Sequence, residues 1–426
     1  MSNPEKEEIW PIPLASRRGL LYPAFAWSGF SSAFASIVVG KQLQVGLGTV
    51  DALLASVIGS WLLFIYSAVI GFAAGRWGLN FQLMLTAVFG KTGAILPGVL
   101  LAGLVAGWFG FHVALTTTVL SEGFGLSDVS VGYFFLLGAL FAAPVISGIS
   151  HGFNMTAIAL PVMLLFAIIV VSQTIVPSRG TLLDGPLGGT LPFGVGVCIA
   201  FGMFVVSGTM TGDIVRYCRT GNEAIQVMAV GFVFSNMPFL ILGVLMGAAK
   251  VDFAQLFAGS SALSLILLAL VCISHLTTCD ACLANASVTL KSAFPTVPWA
   301  VLSMGAAGFG LLLALGGMTG NLFDWATFLS AVVPPVGGIL VADYYVLRTH
   351  IGFSRARNVR FNIAAMIALA VSIFVALLIW QYFMDYVTPL VGAPLAGFLY
   401  LVLAALAPNG LGAELGTESL GAEAVD

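Results

Sequence analysis

Hydroxyl, thiol, imidazole and carboxyl side chains crowd into one apolar stretch of the chain, from Ser274 to Cys282. If this stretch is helical, at about 100° per residue, Ser274, Thr278 and Cys282 share one face and Thr277 lies beside it. Adjacent hydroxyls, together with carbonyls from an interrupted helix, are hard oxygen ligands that suit a small cation such as Na⁺. The alternative is that both threonine hydroxyls bond back to their own helix. The stretch is therefore compatible with a cation site, and local hydrogen bonding is the interpretation favoured for an isolated pair of threonines.

The same stretch allows two other kinds of chemistry. Asp280 is an ionisable group in an apolar segment, a costly feature that often marks a proton carrier. His275, Cys279 and Cys282 are spaced for a soft metal, although a free cysteine more often behaves as a small apolar residue. The apolar segments hold no paired catalytic carboxylates and no nucleophile–base set. We therefore predict that the chain is not an enzyme and has no bound cofactor.

A second candidate site surrounds Trp108, which lies among glycines in the sequence Gly103-Leu-Val-Ala-Gly107-Trp108-Phe-Gly110. Tryptophan in membrane proteins normally lies at the interface, not in the middle of a span. Neighbouring glycines leave room for a flat ligand on the indole face, and Phe204 could close the other side. Stacking of a base on an aromatic ring is worth about 1–3 kcal/mol. Ordinary packing of bulky rings is the alternative.

The elements that position these residues are predicted to be membrane-spanning helices. Of the 426 residues, 59% are hydrophobic and 8% are charged, against about a quarter charged in a soluble domain. This composition excludes a soluble enzyme and a disordered chain, and a net charge of −3 gives no basic surface for nucleic acid. Continuous apolar stretches favour helices over a barrel. Twelve such stretches lie near 21–46, 51–74, 96–121, 130–149, 155–176, 192–213, 226–248, 260–290, 299–317, 325–347, 361–381 and 388–407.

The basic residues predict how the chain is oriented. With the N-terminus inside, 12 Lys and Arg fall on the cytoplasmic side and 3 fall on the other. This bias predicts that both termini are cytoplasmic. From the composition, we expect no linker and no cleavable signal. We expect a cytoplasmic tail over 1–20, one membrane domain over 21–407 and an acidic cytoplasmic tail over 408–426.

Two of the twelve stretches are unsuited to uninterrupted helices. Gly29 precedes a pair of serines in the first stretch, and Gly202, Gly208 and Gly212 flank a hydroxyl cluster in the sixth. Glycine weakens helices, although it also lets helices pack closely. Two interrupted spans five apart are typical of an inverted repeat. We predict an all-α fold with a five-plus-five repeat, over about 21–176 and 192–347, and two extra helices over about 361–407.

The residues described above resemble those of the nucleobase:cation symporter-1 family and, within it, the bacterial cytosine permeases. The resemblance implies a leucine-transporter-type inverted repeat, with a planar heterocycle held between Trp108 and Phe204. It also implies Na⁺ between the first and eighth spans. The similar segments extend over most of the chain and include Gly107-Trp-Phe-Gly110, Ser207-Gly-Thr-Met-Thr-Gly-Asp-Ile-Val-Arg216, Thr277-Thr-Cys-Asp280 and Pro334-Pro-Val-Gly-Gly338.

Carried over position by position, the resemblance implies two sets of site residues. The Na⁺ set is Gly29, Ser32, Ser274, Thr277 and Thr278. The heterocycle set is Trp108, Phe204, Ala33, Phe34, Val105, Met203, Ser207 and Cys279.

The heterocycle set departs from the cytosine-permease pattern. Val105 stands where glutamine is expected, Cys279 and Ala281 stand where asparagine is expected, and Met203 stands where serine is expected. A site that hydrogen-bonds its substrate rejects analogues strongly, so the loss of these amides makes cytosine itself doubtful. The sequence predicts a less polar or differently substituted heterocycle.

These observations predict a monomeric, multi-pass transporter of the bacterial inner membrane, without a nucleic-acid partner. It would import a nucleobase-like heterocycle with Na⁺ as the coupling ion, by alternating access around a midplane site. Two alternatives stay open. One is a proton-coupled symporter that uses Asp280. The other is a membrane binding protein on the same scaffold that does not transport.

Overall fold

The computed structural model describes residues 10–125, 131–148, 156–182, 189–257, 261–347, 360–383 and 385–406. The predicted acidic tail over 408–426 lies outside these ranges. The principal helices, in chain order, are α1 (Leu21–Ser31), α2 (Phe34–Leu47), α3 (Thr49–Trp77), α4 (Phe81–Phe89), α5 (Ile95–Phe124), α6 (Val131–Ile146), α7 (Ala159–Ile175), α8 (Phe193–Thr209), α9 (Gly212–Val215), α10 (Gly221–Ala248), α11 (Phe253–Phe257), α12 (Ala262–Ala293), α13 (Trp299–Leu315), α14 (Leu322–Leu347), α15 (Ile363–Tyr382) and α16 (Pro389–Leu406).

Seven of these helices, namely α3, α5, α10, α12, α14, α15 and α16, are long and apolar enough to cross a membrane. The pair α1 and α2 qualifies as one bent span, and α6, α7, α8 and α13 are shorter apolar helices. Large apolar side chains such as Leu54, Ile65 and Phe374 are exposed on the outer surface, as expected where lipid is the solvent. The prediction of a helical, multi-pass membrane protein is confirmed. The count of twelve spans and the inverted repeat stay predictions.

The first span is interrupted where the sequence predicts it. α1 ends at Ser31, Ser32 adopts φ −79° and ψ 56°, and Ala33 is extended. α2 begins again at Phe34, and the two helices meet at an angle of 47°. Two consecutive residues outside the helical region leave backbone groups without intrahelical partners, so this break exposes polar backbone inside an apolar bundle.

The second interruption follows α8. Two of the glycines predicted to cause it, Gly202 and Gly208, lie inside α8 and contact neighbouring helices. α8 ends at Thr209, Met210 leaves the helix, and α9 is a single turn. A Cβ added to Gly202 would overlap the Ala326 carbonyl, and one on Gly208 would overlap the Ser67 hydroxyl. Both glycines therefore permit close approach of neighbouring helices, which is the competing interpretation from the sequence.

The N-terminal segment is fastened to the same end of the bundle as α9. The Arg17 guanidinium donates to the carbonyls of Ile12 at 3.1 Å and of Gly75 at 2.8 Å. It also reaches the Cys218 carbonyl, at 3.4 Å, just beyond α9. Burial lowers the pKa of Arg17, and the nearby Cys218 opposes that shift. Arg17 therefore ties the segment before α1 to the ends of two other spans.

Candidate functional site

The break between α1 and α2 lies directly against the middle of α12. The Phe34 amide donates to the Ser274 hydroxyl at 3.3 Å, and that hydroxyl lies 3.5 Å from the Ser32 carbonyl. Ser32 and Ser274 are both fully buried. The interrupted backbone between α1 and α2 and the hydroxyl cluster of α12 therefore form one polar site in an apolar core.

The threonine hydroxyls of α12 bond to their own helix. Thr277 and Thr278 each donate to the Ser274 carbonyl at 2.9 Å, the local arrangement that the sequence left as an alternative. A hydroxyl has one proton and two lone pairs, so this bond leaves the oxygen free to accept or to ligate a cation. The geometry is therefore compatible with both interpretations.

Four of the five residues in the predicted Na⁺ set lie on two adjoining segments, since Ser32 contacts Ser274 and both threonines bond to it. Gly29 is buried on α1, three residues before Ser32. Among the described residues, no group of three or more His, Cys, Asp or Glu side chains is arranged to hold a metal. The soft-metal interpretation of His275, Cys279 and Cys282 therefore gains no support.

A small cavity lies beside this polar site, between the α1–α2 break, α5, α8 and α12. It encloses about 10 Å³, which is roughly the room that one water needs. Five residues of the predicted heterocycle set contribute to its wall. The lining is Phe30, Ala33, Ala35, Trp108, His112, Met203, Phe204, Ser207, Thr278 and Cys282.

The aromatic walls of this cavity are held by other rings. Phe204 meets Phe30 edge to face at 5.6 Å between centroids, and Trp108 meets Phe111 in the same way at 5.4 Å. Trp108 and Phe204 are 4% and 6% exposed. The cavity is too small for a six-membered ring, so a planar ligand fits only if its walls separate.

Three residues of the predicted heterocycle set do not line this cavity. Phe34 donates its amide to Ser274, and its ring packs against Phe166 at 5.6 Å in a separate apolar cluster. Val105 is fully buried in the main core. Cys279 follows Thr278 by about 100° around α12 and lies 3.7 Å from the Phe109 carbonyl. In this structure each of these three side chains packs against neighbouring helices, and their assignment to the heterocycle site stays a prediction.

Sequence reasoning missed His112, which lines the cavity together with Trp108. It is buried, and among the described residues its Nδ1 has no hydrogen-bond partner. His112 follows Trp108 by four residues, so the two share a face of α5. That spacing is the signal that would have identified it.

A second buried histidine, His275, lies behind His112. The two rings are 5.4 Å apart between centroids, and the Thr116 hydroxyl lies 2.8 Å from His275 Nδ1. That hydroxyl is also 2.7 Å from the His112 carbonyl. Because it has one proton, Thr116 donates to one neighbour only. His275 also contacts the Phe34 ring, at 5.6 Å, so this chain of side chains connects the cavity wall to the α1–α2 break.

Asp280, the predicted proton carrier of one alternative, is fully buried on α12 but is not part of the cavity lining. It follows Thr278 by two residues, which places it on nearly the opposite side of the helix. Substrate in the cavity would therefore not touch this carboxyl directly.

A larger cavity of about 190 Å³ lies between the first turns of α8 and α14 and the last turn of α15. Its wall includes the aromatic side chains of Phe323, Trp380, Phe383 and Tyr386. No residue of either predicted site set lines it. This larger cavity is therefore distinct from the α1–α2 break and from the hydroxyl cluster of α12.

Comparison with known proteins gives concordant results. The family model described as "Permease for cytosine/purines, uracil, thiamine, allantoin" matches residues 11–403. The cytosine permease of Escherichia coli (strain K12) is 32% identical over 374 residues, which cover 85% of this chain and 87% of that protein.

Two further matches involve a hydantoin, one by its name and one by its bound ligand. The hydantoin permease of Microbacterium maritypicum is 24% identical over 358 residues, covering 76% of this chain and 72% of that protein. Among solved structures, Mhp1, a nucleobase-cation-symport-1 family transporter with bromovinylhydantoin bound, superposes with a TM-score of 0.78 at 22% identity. That match covers 96% of this chain and 97% of Mhp1, so the two proteins share a fold.

Proposed function

This chain belongs to the permease family for cytosine/purines, uracil, thiamine and allantoin, and from that membership we propose that it imports a planar heterocycle together with Na⁺. The family prediction made from the sequence is confirmed. Its relatives are permeases, so the protein is a membrane transporter and not an enzyme.

The observation that carries the substrate proposal is the convergence of Trp108 and Phe204 on one buried cavity. A ring stacked between them gains about 1–3 kcal/mol for each aromatic face. Met203 and Ser207 of α8 complete that wall. Ala33 offers backbone from the α1–α2 break, where the chain is extended.

The polar edge of the substrate is proposed to meet His112. The amides expected in a cytosine permease are absent, because positions 105, 279 and 281 hold Val105, Cys279 and Ala281. His112 Nδ1 faces no protein partner among the described residues. An imidazole offers one donor or one acceptor from each nitrogen. We therefore favour a heterocycle that is less polar than cytosine or differently substituted.

Na⁺ is proposed to lie where Ser274 meets the first break. Carbonyls of Gly29, Ser32 and Ser274 and the hydroxyls of Thr277 and Thr278 would supply five oxygens, the donor type that hard cations prefer. The Ser274 hydroxyl also accepts a hydrogen bond from the Phe34 amide. Binding of Na⁺ would fix the break that forms one wall of the cavity, which couples the ion to the heterocycle.

The finer architecture is part of this proposal. We propose twelve spans, a five-plus-five inverted repeat over about 21–176 and 192–347, two extra helices, both termini in the cytoplasm of a bacterium, and a monomeric protein. Two interrupted helices, α1–α2 and α8–α9, support the repeat because inverted repeats place a broken helix first in each half.

Uptake into proteoliposomes tests the function directly. Radiolabelled cytosine, uracil and hydantoin would be offered under an inward Na⁺ gradient, under choline with an inward proton gradient, and with no gradient. Accumulation that requires Na⁺ supports the proposal. Accumulation driven by protons without Na⁺ would favour the symporter that uses Asp280, and saturable binding without accumulation would favour a binding protein.

A further inference from the structure

Asn285 is a buried amide on α12 for which the proposed site gives no role. Its side chain is fully buried, and among the described residues neither Nδ2 nor Oδ1 has a hydrogen-bond partner. A buried polar group without a partner carries its full desolvation penalty, and an apolar residue of the same shape avoids it. Packing alone therefore does not explain an asparagine at this position.

Asn285 belongs to a polar stripe along one face of α12. At about 100° per residue, six residues with small or polar side chains fall within an arc of about 80°. They are Ser274, Thr278, Cys282, Asn285, Thr289 and Ser292. The stripe begins at the α1–α2 break and follows α12 toward its C-terminus, which is the predicted cytoplasmic end.

The two parts of the stripe on either side of Asn285 have different neighbours. Thr278 and Cys282 line the cavity. Thr289 donates to Asp213 Oδ2 at 3.3 Å, and Asp213 Oδ1 accepts from the Phe81 amide at 2.8 Å. Asp213 of α9 thereby joins α12 to the first turn of α4. Asn285 lies about 4.5 Å beyond Cys282 and about 6 Å before Thr289 along the axis, between the cavity and this closed contact.

We propose that Asn285 is a second, transient contact for the substrate, on its path from the cavity to the cytoplasm. A carboxamide presents a donor and an acceptor side by side, which is complementary to a ring N–H next to a ring carbonyl. Uracil and hydantoin both have such a lactam edge. When Asp213 separates from Phe81 and Thr289, the ring moves by about one helical turn and meets the amide. This inference rests on the proposed transport function.

The first test compares Asn285→Leu with the wild type and with Ser372→Ala. Ser372 of α15 is also fully buried and without a partner among the described residues, and it lies away from the stripe. Both variants remove a buried unpaired group, so both should melt no lower than the wild type. Asn285→Leu should bind uracil or hydantoin as the wild type does but transport it about tenfold more slowly, while Ser372→Ala should transport normally. Wild-type turnover in Asn285→Leu would overturn the proposal.

The second test needs no substrate. In a chain whose five cysteines are replaced by alanine, Asn285→Cys and Leu283→Cys would be exposed to a small cationic methanethiosulfonate from the cytoplasmic side. Leu283 is equally buried and lies about 160° around α12 from Asn285. Faster labelling of Asn285→Cys supports a path along the stripe, and equal rates contradict it. If the wild type transports none of the probes, the proposed function fails. The two labelling rates still show whether the polar stripe of α12 becomes accessible from the cytoplasmic side.

Discussion

The central site has two sides, and both include residues of α12. The ion side is the proposed Na⁺ site at the α1–α2 break, and the ring side is the cavity between Trp108 and Phe204. On the ion side, the hydroxyls of Ser274, Thr277 and Thr278 form hydrogen bonds to backbone groups. On the ring side, Trp108 and Phe204 face a cavity with few polar groups. The ion side thus has its oxygens already in place, whereas the ring side must open before it can hold a ligand. Under the proposed function, Na⁺ would be recognised by preformed groups and the heterocycle by stacking.

The largest expected effect comes from removing one aromatic wall. Trp108→Ala should weaken heterocycle binding by about 1–3 kcal/mol, or roughly 5- to 150-fold, because one stacking face is lost. Isothermal titration of purified protein measures this loss. Trp61→Ala is the matched control, since Trp61 is 45% exposed on the outer surface of α3. Unchanged affinity in Trp108→Ala would show that the ring does not stack there.

The next largest effect is expected from Thr278→Val, which should alter Na⁺ dependence without altering heterocycle affinity. Thr278→Val keeps the side-chain shape and removes the hydroxyl, so the Na⁺ concentration for half-maximal uptake should rise about tenfold or more. Heterocycle affinity at saturating Na⁺ should change little. Thr118→Val, on the exposed face of α5, should leave both values unaltered. If Thr278→Val keeps the wild-type Na⁺ dependence, its hydroxyl serves only the bond to Ser274.

A third variant tests whether the missing cytosine-permease amide can simply be restored. Val105→Gln introduces an amide at a fully buried core position. We expect no gain in cytosine binding and a loss of about 1–3 kcal/mol of stability, because the new amide finds no partner. Thermal unfolding and cytosine titration check the two outcomes. Tight cytosine binding by this variant would mean that position 105 faces the substrate after all.

The smallest expected effect is a difference in the rate of thiol modification between Cys279 and Cys282, which lie on different faces of α12. Cys282 lines the cavity and Cys279 does not. With the other cysteines removed, a small thiol reagent should modify Cys282 several-fold faster than Cys279 by exposure alone. A stacking heterocycle should slow only the reaction at Cys282. Peptide mass spectrometry follows both sites, and equal rates would contradict the assigned faces.

The spans and their interruptions could be predicted from the sequence because both depend on local composition. Apolar stretches of about 20 residues identify helices, and clusters of glycine and serine identify breaks. Even so, Gly202 and Gly208 pack against neighbouring helices, while the break itself falls at Met210. Local composition therefore locates an interruption to within a few residues only.

The cavity wall was harder to predict because it depends on how each helix is rotated within the bundle. The structure brings five residues of the predicted heterocycle set together around the cavity, namely Trp108, Phe204, Met203, Ser207 and Ala33. Tertiary packing turns Phe34, Val105 and Cys279 elsewhere, and the role of the whole set stays a prediction.

The sequence also did not identify His112 as part of the cavity wall. His112 carries no motif of its own, and only its spacing of four residues from Trp108 links it to the site.

Thermal stability of the purified protein with and without Na⁺ tests the central claim most directly. A ligand that binds the native state raises the melting temperature by mass action. We expect at least one of cytosine, uracil, hydantoin and allantoin to raise it more in Na⁺ than in choline. At the same ligand concentration, Trp108→Ala should reduce the heterocycle shift while keeping the shift by Na⁺ alone. A heterocycle shift that is equal in Na⁺ and choline, or that is undiminished in Trp108→Ala, would contradict this expectation.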